Sequence, residues 1–210
     1  MDDFAARSTS RTYSIAELRS VVTSGQFRVP QFQRSFRWEA QDVLNLFDSI
    51  LRGYPFGSLL LWQREADADD LRVGTLEVRA EARPDALWVV DGQQRITSLV
   101  NAVDPKGTMD RRFAIGYSLR AQKVVLTDRH EGSSVIPLPD LFDFGRALEW
   151  LRKNPDASIY AELIQDVAGR LNRLAVPATV LEQADESTLR EIFDRINSRG
   201  KRLNPAEIFD

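Results

Sequence analysis

Apolar side chains recur every three or four residues in several stretches of the chain, which is the spacing of amphipathic helices. The first predicted helix follows Ser14, which can form a capping box with Glu17, and it ends at Gly25. The second predicted helix runs from Glu39 to Gly53. Further predicted helices are residues 96–103, 145–153, 158–174, 188–196 and a last helix that opens at Asn204 and Pro205.

Shorter apolar or alternating runs between these helices predict β-strands. Residues 27–30 are expected to be extended, because a proline restricts the residue before it. Pro137 and Pro139 are expected to begin a loop. The predicted strands are residues 58–63, 71–79, 87–90, 113–120, 123–127 and 176–181, and the fourth and fifth of these form a hairpin around Ala121 and Gln122.

The residue composition excludes several kinds of catalytic centre. The 210 residues include no cysteine and one histidine, His130. Without cysteine there is no disulfide, thiol nucleophile or cysteine-bound metal. An HNH-type nuclease centre needs at least two imidazoles, so this chain alone cannot form one. His130 lies in a polar stretch without an evident partner, which favours a surface histidine over a catalytic one.

The net charge of −3 argues against a uniformly basic nucleic-acid-binding protein, but the charge is uneven along the chain. Between Arg7 and Trp38 six arginines accompany one acid, Glu17. Arginine makes up 24 of the 28 cationic residues, which suits bidentate phosphate contacts and equally suits a bias in genome composition. No apolar run is long enough to span a membrane and the acidic start does not resemble a signal peptide, so we expect a cytoplasmic protein without a membrane partner.

The strongest candidate for chemistry is the sequence Val-Val-Asp-Gly-Gln-Gln-Arg at residues 89–95, where a strand pattern passes into a helix pattern. A glycine at such a turn lets a ligand approach the backbone, and the first N–H groups of the helix attract an anion. The polar side chains that suit phosphate or hydrated Mg²⁺ here are Asp91, Gln93, Gln94, Arg95, Thr97 and Ser98. An ordinary capped helix with a solvated turn explains the same pattern, and the chain contains no Walker A sequence.

Two further segments contain cationic side chains that suit contact with phosphate. Residues 29–38 alternate arginine and glutamine with aromatic residues, which suits phosphate contacts and base stacking. The alternative is an edge segment whose aromatic rings enter the core while its arginines face solvent.

Residues 195–202 hold four cationic side chains at the predicted end of a helix, where positive charge is favourable in any protein. Asn197 and Gly200 suit a left-handed helix stop, and that loop could present Arg199 to a phosphate.

Four motifs, in this order, resemble the N-terminal domain of the GmrSD-type restriction endonuclease family. They are P-x-[FY]-Q-R-x-[FY]-x-W at residues 30–38, G-Y-P-x-G at 53–57, D-G-Q-Q-R-[IL]-T-[ST]-L at 91–99 and F-x-x-I-N-[ST]-R-G at 193–200. The resemblance implies an α+β fold of the ParB/sulfiredoxin kind, with a small mixed sheet and flanking helices followed by a mostly helical portion. It implies a nucleotide-binding core at residues 1–135 and a helical portion at 136–210, joined in one unit. The last predicted helix is cut off after six residues, so we expect the chain to be part of a longer protein.

The resemblance, together with the residue chemistry, assigns roles to individual positions. Catalysis is expected of Asp91, Gln94 and Arg95, with Asp91 also placing Mg²⁺. Nucleotide binding is expected of Gly92, Gln93, Thr97, Ser98, Gln33, Arg34, Asn197, Arg199 and Gly200. DNA contact is expected of Phe32, Arg37 and Arg28. Phe32 stands where tyrosine is common in the family, so a hydroxyl is missing at that position.

Members of the family that the chain resembles bind and hydrolyse a nucleoside triphosphate in this domain, and a separate HNH-like domain cuts DNA. The resemblance therefore implies an NTP-binding and NTP-hydrolysing sensor domain of a modification-dependent restriction system in anti-phage defence, with Mg²⁺ and a nucleoside triphosphate of unknown base as cofactors. Expected partners are DNA, modified in the sensing relatives, and a nuclease domain after residue 210 or on another chain, and a homo-oligomer is left open. One alternative is a nucleotide-gated DNA-binding module without turnover, and a second is a nuclease in its own right.

Overall fold

The computed structural model describes residues 7–29, 36–127 and 134–182 of the chain. The strands are β1 (Arg7–Tyr13), β2 (Phe27–Arg28), β3 (Leu59–Ala66), β4 (Asp69–Val73), β5 (Leu76–Ala80), β6 (Arg83–Asp91), β7 (Ile115–Ser118), β8 (Lys123–Leu126), β9 (Val135–Pro137) and β10 (Val176–Glu182). The helices are α1 (Ile15–Thr23), α2 (Ala40–Arg52), α3 (Gln93–Ala102), α4 (Leu138–Phe142), α5 (Phe144–Lys153) and α6 (Ala161–Asn172). Short 3-10 turns lie at Gly107–Met109 and Pro155–Tyr160.

A mixed five-stranded sheet with the strand order β1-β10-β3-β6-β2 forms the centre of the fold. β10 pairs in parallel with β3 and antiparallel with β1, while β6 pairs antiparallel with β3 and in parallel with β2. The β4–β5 hairpin and the antiparallel sheet β8-β7-β9 complete the strands of the described residues. The predicted α+β fold with a mixed sheet is confirmed. β10 follows residue 135 in the chain, and it pairs with β1 and β3, which precede that residue. Residues before and after position 135 therefore contribute to the same core.

The main core lies between the central sheet and the helices. Alternate residues of β3, such as Leu59 and Leu61, belong to this core, as do the buried apolar residues of α2. The intervening residues of β3, such as Trp62, belong to a smaller cluster that also contains Val90. This is expected because successive side chains of a strand point to opposite faces of the sheet. In the part of the chain that the structure describes, no helix has the length and apolar character to cross a bilayer.

The sequence patterns placed several helix ends correctly. Ser14 caps α1 and makes the predicted capping box with Glu17, whose carboxylate Oε2 lies 2.7 Å from the Ser14 backbone nitrogen. This hydrogen bond lowers the pKa of Glu17. α2 begins after Glu39 and ends at Gly53, which adopts the left-handed conformation at a φ of 71°.

The structure differs from the sequence-based predictions in three places. Residues 71–79 are two strands, β4 and β5, because Gly74 turns the chain at a φ of 65°. Pro137 ends the edge strand β9 and Pro139 lies in the first turn of α4, where a missing N–H is tolerated, so this stretch is not a loop. β1 was not predicted at all. The predicted helices at 188–196 and after Asn204 lie outside the described residues.

Candidate functional site

The candidate site is the turn that joins β6 to α3. β6 ends at Asp91, and Gly92 adopts a left-handed conformation at a φ of 99° before α3 begins. A Cβ on Gly92 would lie 2.5 Å from Leu59 Cδ2, so this position requires glycine for both its conformation and its space. Among the described residues no side chain caps the helix, which leaves its first N–H groups available to a ligand that accepts hydrogen bonds.

Arg95 is held in one orientation in the first turn of α3. Its Nη2 donates to the Ser58 carbonyl oxygen at 2.8 Å and to Asp91 Oδ2 at 2.7 Å. Only 19% of the side chain is exposed, and its Nε is buried without a hydrogen-bond partner among the described residues. These contacts use the two hydrogens of Nη2, so with respect to the described residues Nη1 is the guanidinium nitrogen left to meet a ligand.

Gly57 brings the Gly-Tyr-Pro-Phe-Gly motif against this arginine. A Cβ on Gly57 would lie 2.7 Å from Arg95 Nη1, and the φ of Gly57 is 90°. Ser58, the next residue, supplies the carbonyl that Arg95 contacts. The motif at residues 53–57 and the motif at 91–99 therefore form one structural unit.

Gln94 connects a third motif to the same turn. Its side-chain Oε1 accepts hydrogen bonds from the backbone N–H groups of Arg37 at 2.9 Å and Trp38 at 3.2 Å. These residues end the aromatic and cationic motif of residues 30–38. The side-chain amide of Gln94 therefore holds the backbone of residues 37 and 38 beside the β6–α3 turn.

Aromatic and charged contacts hold the other side of this segment. The ring centroids of Phe36 and Phe113 are 5.1 Å apart, and the Arg112 guanidinium lies 4.9 Å from the centre of the Phe36 ring. Asp110 orients Arg112 through a contact of 2.6 Å between Oδ2 and Nη2, and this hydrogen bond lowers the pKa of Asp110. Phe36 and Trp38 are half-buried against the core while Arg37 is exposed, which matches the edge-segment alternative for these three residues.

The family model described as "GmrSD restriction endonuclease, N-terminal domain" matches residues 15–210. The chain belongs to this family. An uncharacterized protein of Methanocaldococcus jannaschii is 32% identical over 100 residues. That alignment covers 44% of this chain and 17% of the relative, so the chain matches a small part of the relative's length.

Not every residue assigned to the site of this GmrSD N-terminal domain lies where a ligand could reach it. Thr97 and Ser98 are 3% and 0% exposed, and Ser98 Oγ is buried without a partner in the described part of the chain. Their burial on the core side of α3 does not agree with the prediction that they bind nucleotide. Gln93 and Gln94 are half-buried and Asp91 is exposed.

Arg28 contradicts its predicted contact with DNA. It is 1% exposed, and its guanidinium donates to the carbonyl oxygens of Gly25, Asp67 and Glu81, the last at 2.9 Å. Burial lowers its pKa. Arg28 therefore fixes the loops on either side of the β4–β5 hairpin instead of facing a ligand.

The remaining predicted site residues lie outside the described residues. They are Phe32, Gln33, Arg34, Asn197, Arg199 and Gly200. Sequence reasoning did not assign Ser58 to the site, and it could not do so from side-chain chemistry, because Ser58 contributes a backbone carbonyl. Gly57 carried a signal, since it belongs to one of the four motifs. Within the described ranges, no group of three or more His, Cys, Asp or Glu side chains could hold a metal ion.

Proposed function

We propose that this domain binds a nucleoside triphosphate with its phosphates at the β6–α3 turn and hydrolyses it. In this proposal the domain senses DNA, in modified form, and regulates a nuclease domain of a restriction system. The convergence of three separate motifs on the β6–α3 turn carries the proposal: Gly57 and Ser58 lie against Arg95, and the backbone of Arg37 and Trp38 is bound by Gln94. The family membership supports the restriction context.

The chemistry of phosphoryl transfer depends on positioning and on charge stabilisation. The backbone N–H groups at the start of α3 would bind phosphate oxygens, and the absent side chain at Gly92 would let the phosphates approach them. Arg95 would add a donor from Nη1 and a positive charge. Because Asp91 and Ser58 already hold Nη2, the guanidinium needs little reorganisation when the phosphates arrive.

Mg²⁺ would bind at this turn only together with the phosphates of the nucleotide. Asp91 is a single exposed carboxylate, and one or two carboxylates with phosphate and water ligands are the usual protein contribution to a Mg²⁺ site. Bound there, the ion would neutralise charge on the transferred phosphoryl group. We propose that Asp91 holds it.

The segment that precedes Arg37 completes the proposal. Gln94 and the Phe36–Phe113 contact anchor its end beside the turn. Phe32, Gln33 and Arg34 would then contact nucleotide and DNA, with exposed Arg37 beside them. Asn197, Arg199 and Gly200 would close the nucleotide site from the other side.

A second candidate function is nucleotide-gated DNA binding without turnover. Two of the residues proposed for catalysis already have structural partners, since Gln94 Oε1 accepts two backbone N–H groups and Asp91 pairs with Arg95. A site in which these contacts persist would bind a triphosphate and leave it intact.

Phosphate release separates the two candidates. Wild type and the variants Arg95→Ala and Asp91→Ala are assayed with ATP, GTP, CTP and UTP plus Mg²⁺, with and without modified duplex DNA. We expect turnover by the wild type and a loss of at least about 100-fold in Arg95→Ala, a small fraction of what arginine supplies in other phosphoryl-transfer sites. Arg152→Ala, an exposed arginine on α5, is the control and should keep full activity. Binding without phosphate release supports the second candidate, and wild-type rates in both site variants overturn the assignment.

A further inference from the structure

A groove with a volume of about 600 Å³ runs between α2 and β8. Four cationic side chains line it, Arg52, Arg111, Arg112 and Lys123, against two acidic ones, Glu39 and Asp48. With Asp110, which pairs with Arg112, four cationic side chains stand against three acidic ones, whereas the whole chain has a net charge of −3. A local excess of positive charge is what attracts a polyanion to an acidic protein.

Two of these arginines are already oriented. Arg112 Nη2 lies 2.6 Å from Asp110 Oδ2 while the guanidinium packs over Phe36, and Arg52 Nε lies 2.8 Å from Asp48 Oδ2. A guanidinium carries five N–H donors, so each of these ion pairs leaves donors for another anion. Because both side chains are already ordered, a ligand that binds them causes a smaller loss of side-chain conformational entropy.

Neutral donors and acceptors lie on the same wall of the groove. Gln41 and Asn45 are one turn apart on α2, and Gln41 Nε2 donates to Asn45 Oδ1 at 2.9 Å. This hydrogen bond leaves the Asn45 NH₂ group to donate outward. Amide side chains of this kind contribute hydrogen bonds to phosphate oxygens in protein–DNA contacts.

Consecutive residues of the chain link the groove to the candidate nucleotide site. Gln94 holds the backbone of Arg37 and Trp38 beside the β6–α3 turn, and the next two residues, Glu39 and Ala40, line the groove. Residues 37–40 therefore connect the two sites along the chain. A ligand in the groove would contact the residues that directly follow the backbone that Gln94 binds.

We propose that the α2–β8 groove binds the phosphate backbone of duplex DNA. This inference rests on the proposed function, because it supplies the DNA surface that the buried Arg28 does not provide. Arginine provides three of the four cations, and its planar fork matches phosphate oxygens in a way that lysine does not. Residues 37–40, which run from the Gln94 contacts into the groove, connect DNA in the groove to the nucleotide turn.

The test compares two double charge reversals of equal size in the full 210-residue chain. Arg111→Glu with Lys123→Glu changes the groove, and Arg152→Glu with Lys153→Glu changes exposed positions on α5. Fluorescence anisotropy measures the affinity for a labelled duplex of about 20 base pairs between about 50 and 200 mM salt, with and without MgATP. Binding of a fluorescent ATP analogue is measured on the same samples.

We expect the groove variant to lose at least about tenfold in DNA affinity. The slope of the logarithm of the binding constant against the logarithm of the salt concentration should become less steep by about 1.8, the value for two lost phosphate contacts. The α5 variant should change affinity less than about threefold, and neither variant should change ATP-analogue binding. The proposal is overturned by equal losses in both variants, by an unchanged groove variant, or by wild type that binds no DNA in either condition. Tighter binding of an oligoglutamate peptide than of the duplex also overturns it and indicates an acidic protein partner. Absence of nucleotide binding contradicts the proposed function and leaves the DNA measurement valid.

Discussion

Gly57 leaves the space in which the Arg95 guanidinium lies. A Cβ at Gly57 would lie 2.7 Å from Nη1, closer than Cβ contacts in proteins, and 3.2 Å from Cζ, which is a tight contact. The adjacent Ser58 carbonyl accepts a hydrogen bond from the same guanidinium. A glycine that precedes β3 therefore leaves room for the orientation in which Asp91 and Ser58 hold an arginine of α3.

Replacing Gly57 by alanine should weaken nucleotide binding by at least about tenfold, because the new methyl group displaces the Arg95 guanidinium. Gly53→Ala is a matched control, since Gly53 also has a positive φ of 71° but a Cβ there meets nothing within 4 Å. Both variants should lose about 1 kcal/mol or more of stability from the left-handed backbone. Isothermal titration calorimetry and thermal unfolding measure the two effects. Equal nucleotide affinities in the two variants would show that the contact with Arg95 has no role in binding.

Gln94→Ala should loosen the segment at residues 37–38, because the backbone N–H groups of Arg37 and Trp38 lose their acceptor. We expect faster hydrogen exchange of these two amides by NMR and a loss of about 1 kcal/mol in the free energy of unfolding. The adjacent Gln93→Ala should leave both amides protected. Unchanged exchange in Gln94→Ala would contradict the proposed anchoring.

Asn101→Ala should destabilise the domain by about 3 kcal/mol, since several buried groups lose their partners together. The Asn101 side chain accepts hydrogen bonds from the backbone and hydroxyl of Thr75 and donates to the carbonyls of Val73 and Thr97. These contacts fasten the β4–β5 turn to α3. Asn172→Ala, at an exposed position of α6, should cost less than about 1 kcal/mol. Similar unfolding free energies for the two variants in urea would refute this role of Asn101.

The ion pair of Asp110 and Arg112 should make part of the stability dependent on pH. The hydrogen bond from Arg112 lowers the pKa of Asp110 in the folded protein. Its contribution is therefore complete above the unfolded value of about 3.9 and is lost as the pH falls through the lower folded value. The difference in Tm between wild type and Asp110→Asn should be constant from about pH 7 to 5 and should shrink below about pH 4. A difference that stays the same at pH 3 would exclude this ion pair as its source.

The sequence predicted elements whose signals are local. The spacing of apolar residues in α2 and the residues at its two ends, Glu39 and Gly53, are enough to define that helix. The polar strand β1 has no such pattern, and it forms because its residues pair with distant β10, for example Thr9 with Val180. The turn at Gly74 was missed for the same reason, since distant Asn101 fixes it.

The candidate site shows the same division between local and distant signals. The turn at Gly92 could be recognised from a strand pattern followed by a glycine and a helix pattern. The contacts of Arg95 with Gly57 and of Gln94 with Arg37 depend on how distant segments pack, and spacing along the chain does not contain that information. Arg28 was misassigned because an arginine near aromatic residues looks the same in sequence whether it faces DNA or buried carbonyls.

A crystal structure of the domain with Mg²⁺ and a non-hydrolysable analogue of the nucleoside triphosphate that it binds most tightly would show directly whether the β6–α3 turn is the nucleotide site. We expect phosphate oxygens within about 3 Å of Arg95 Nη1 and of the backbone nitrogens of residues 93–95. Phosphates bound elsewhere, with the Asp91–Arg95 turn free of ligand, would contradict the central claim that this turn is the nucleotide site.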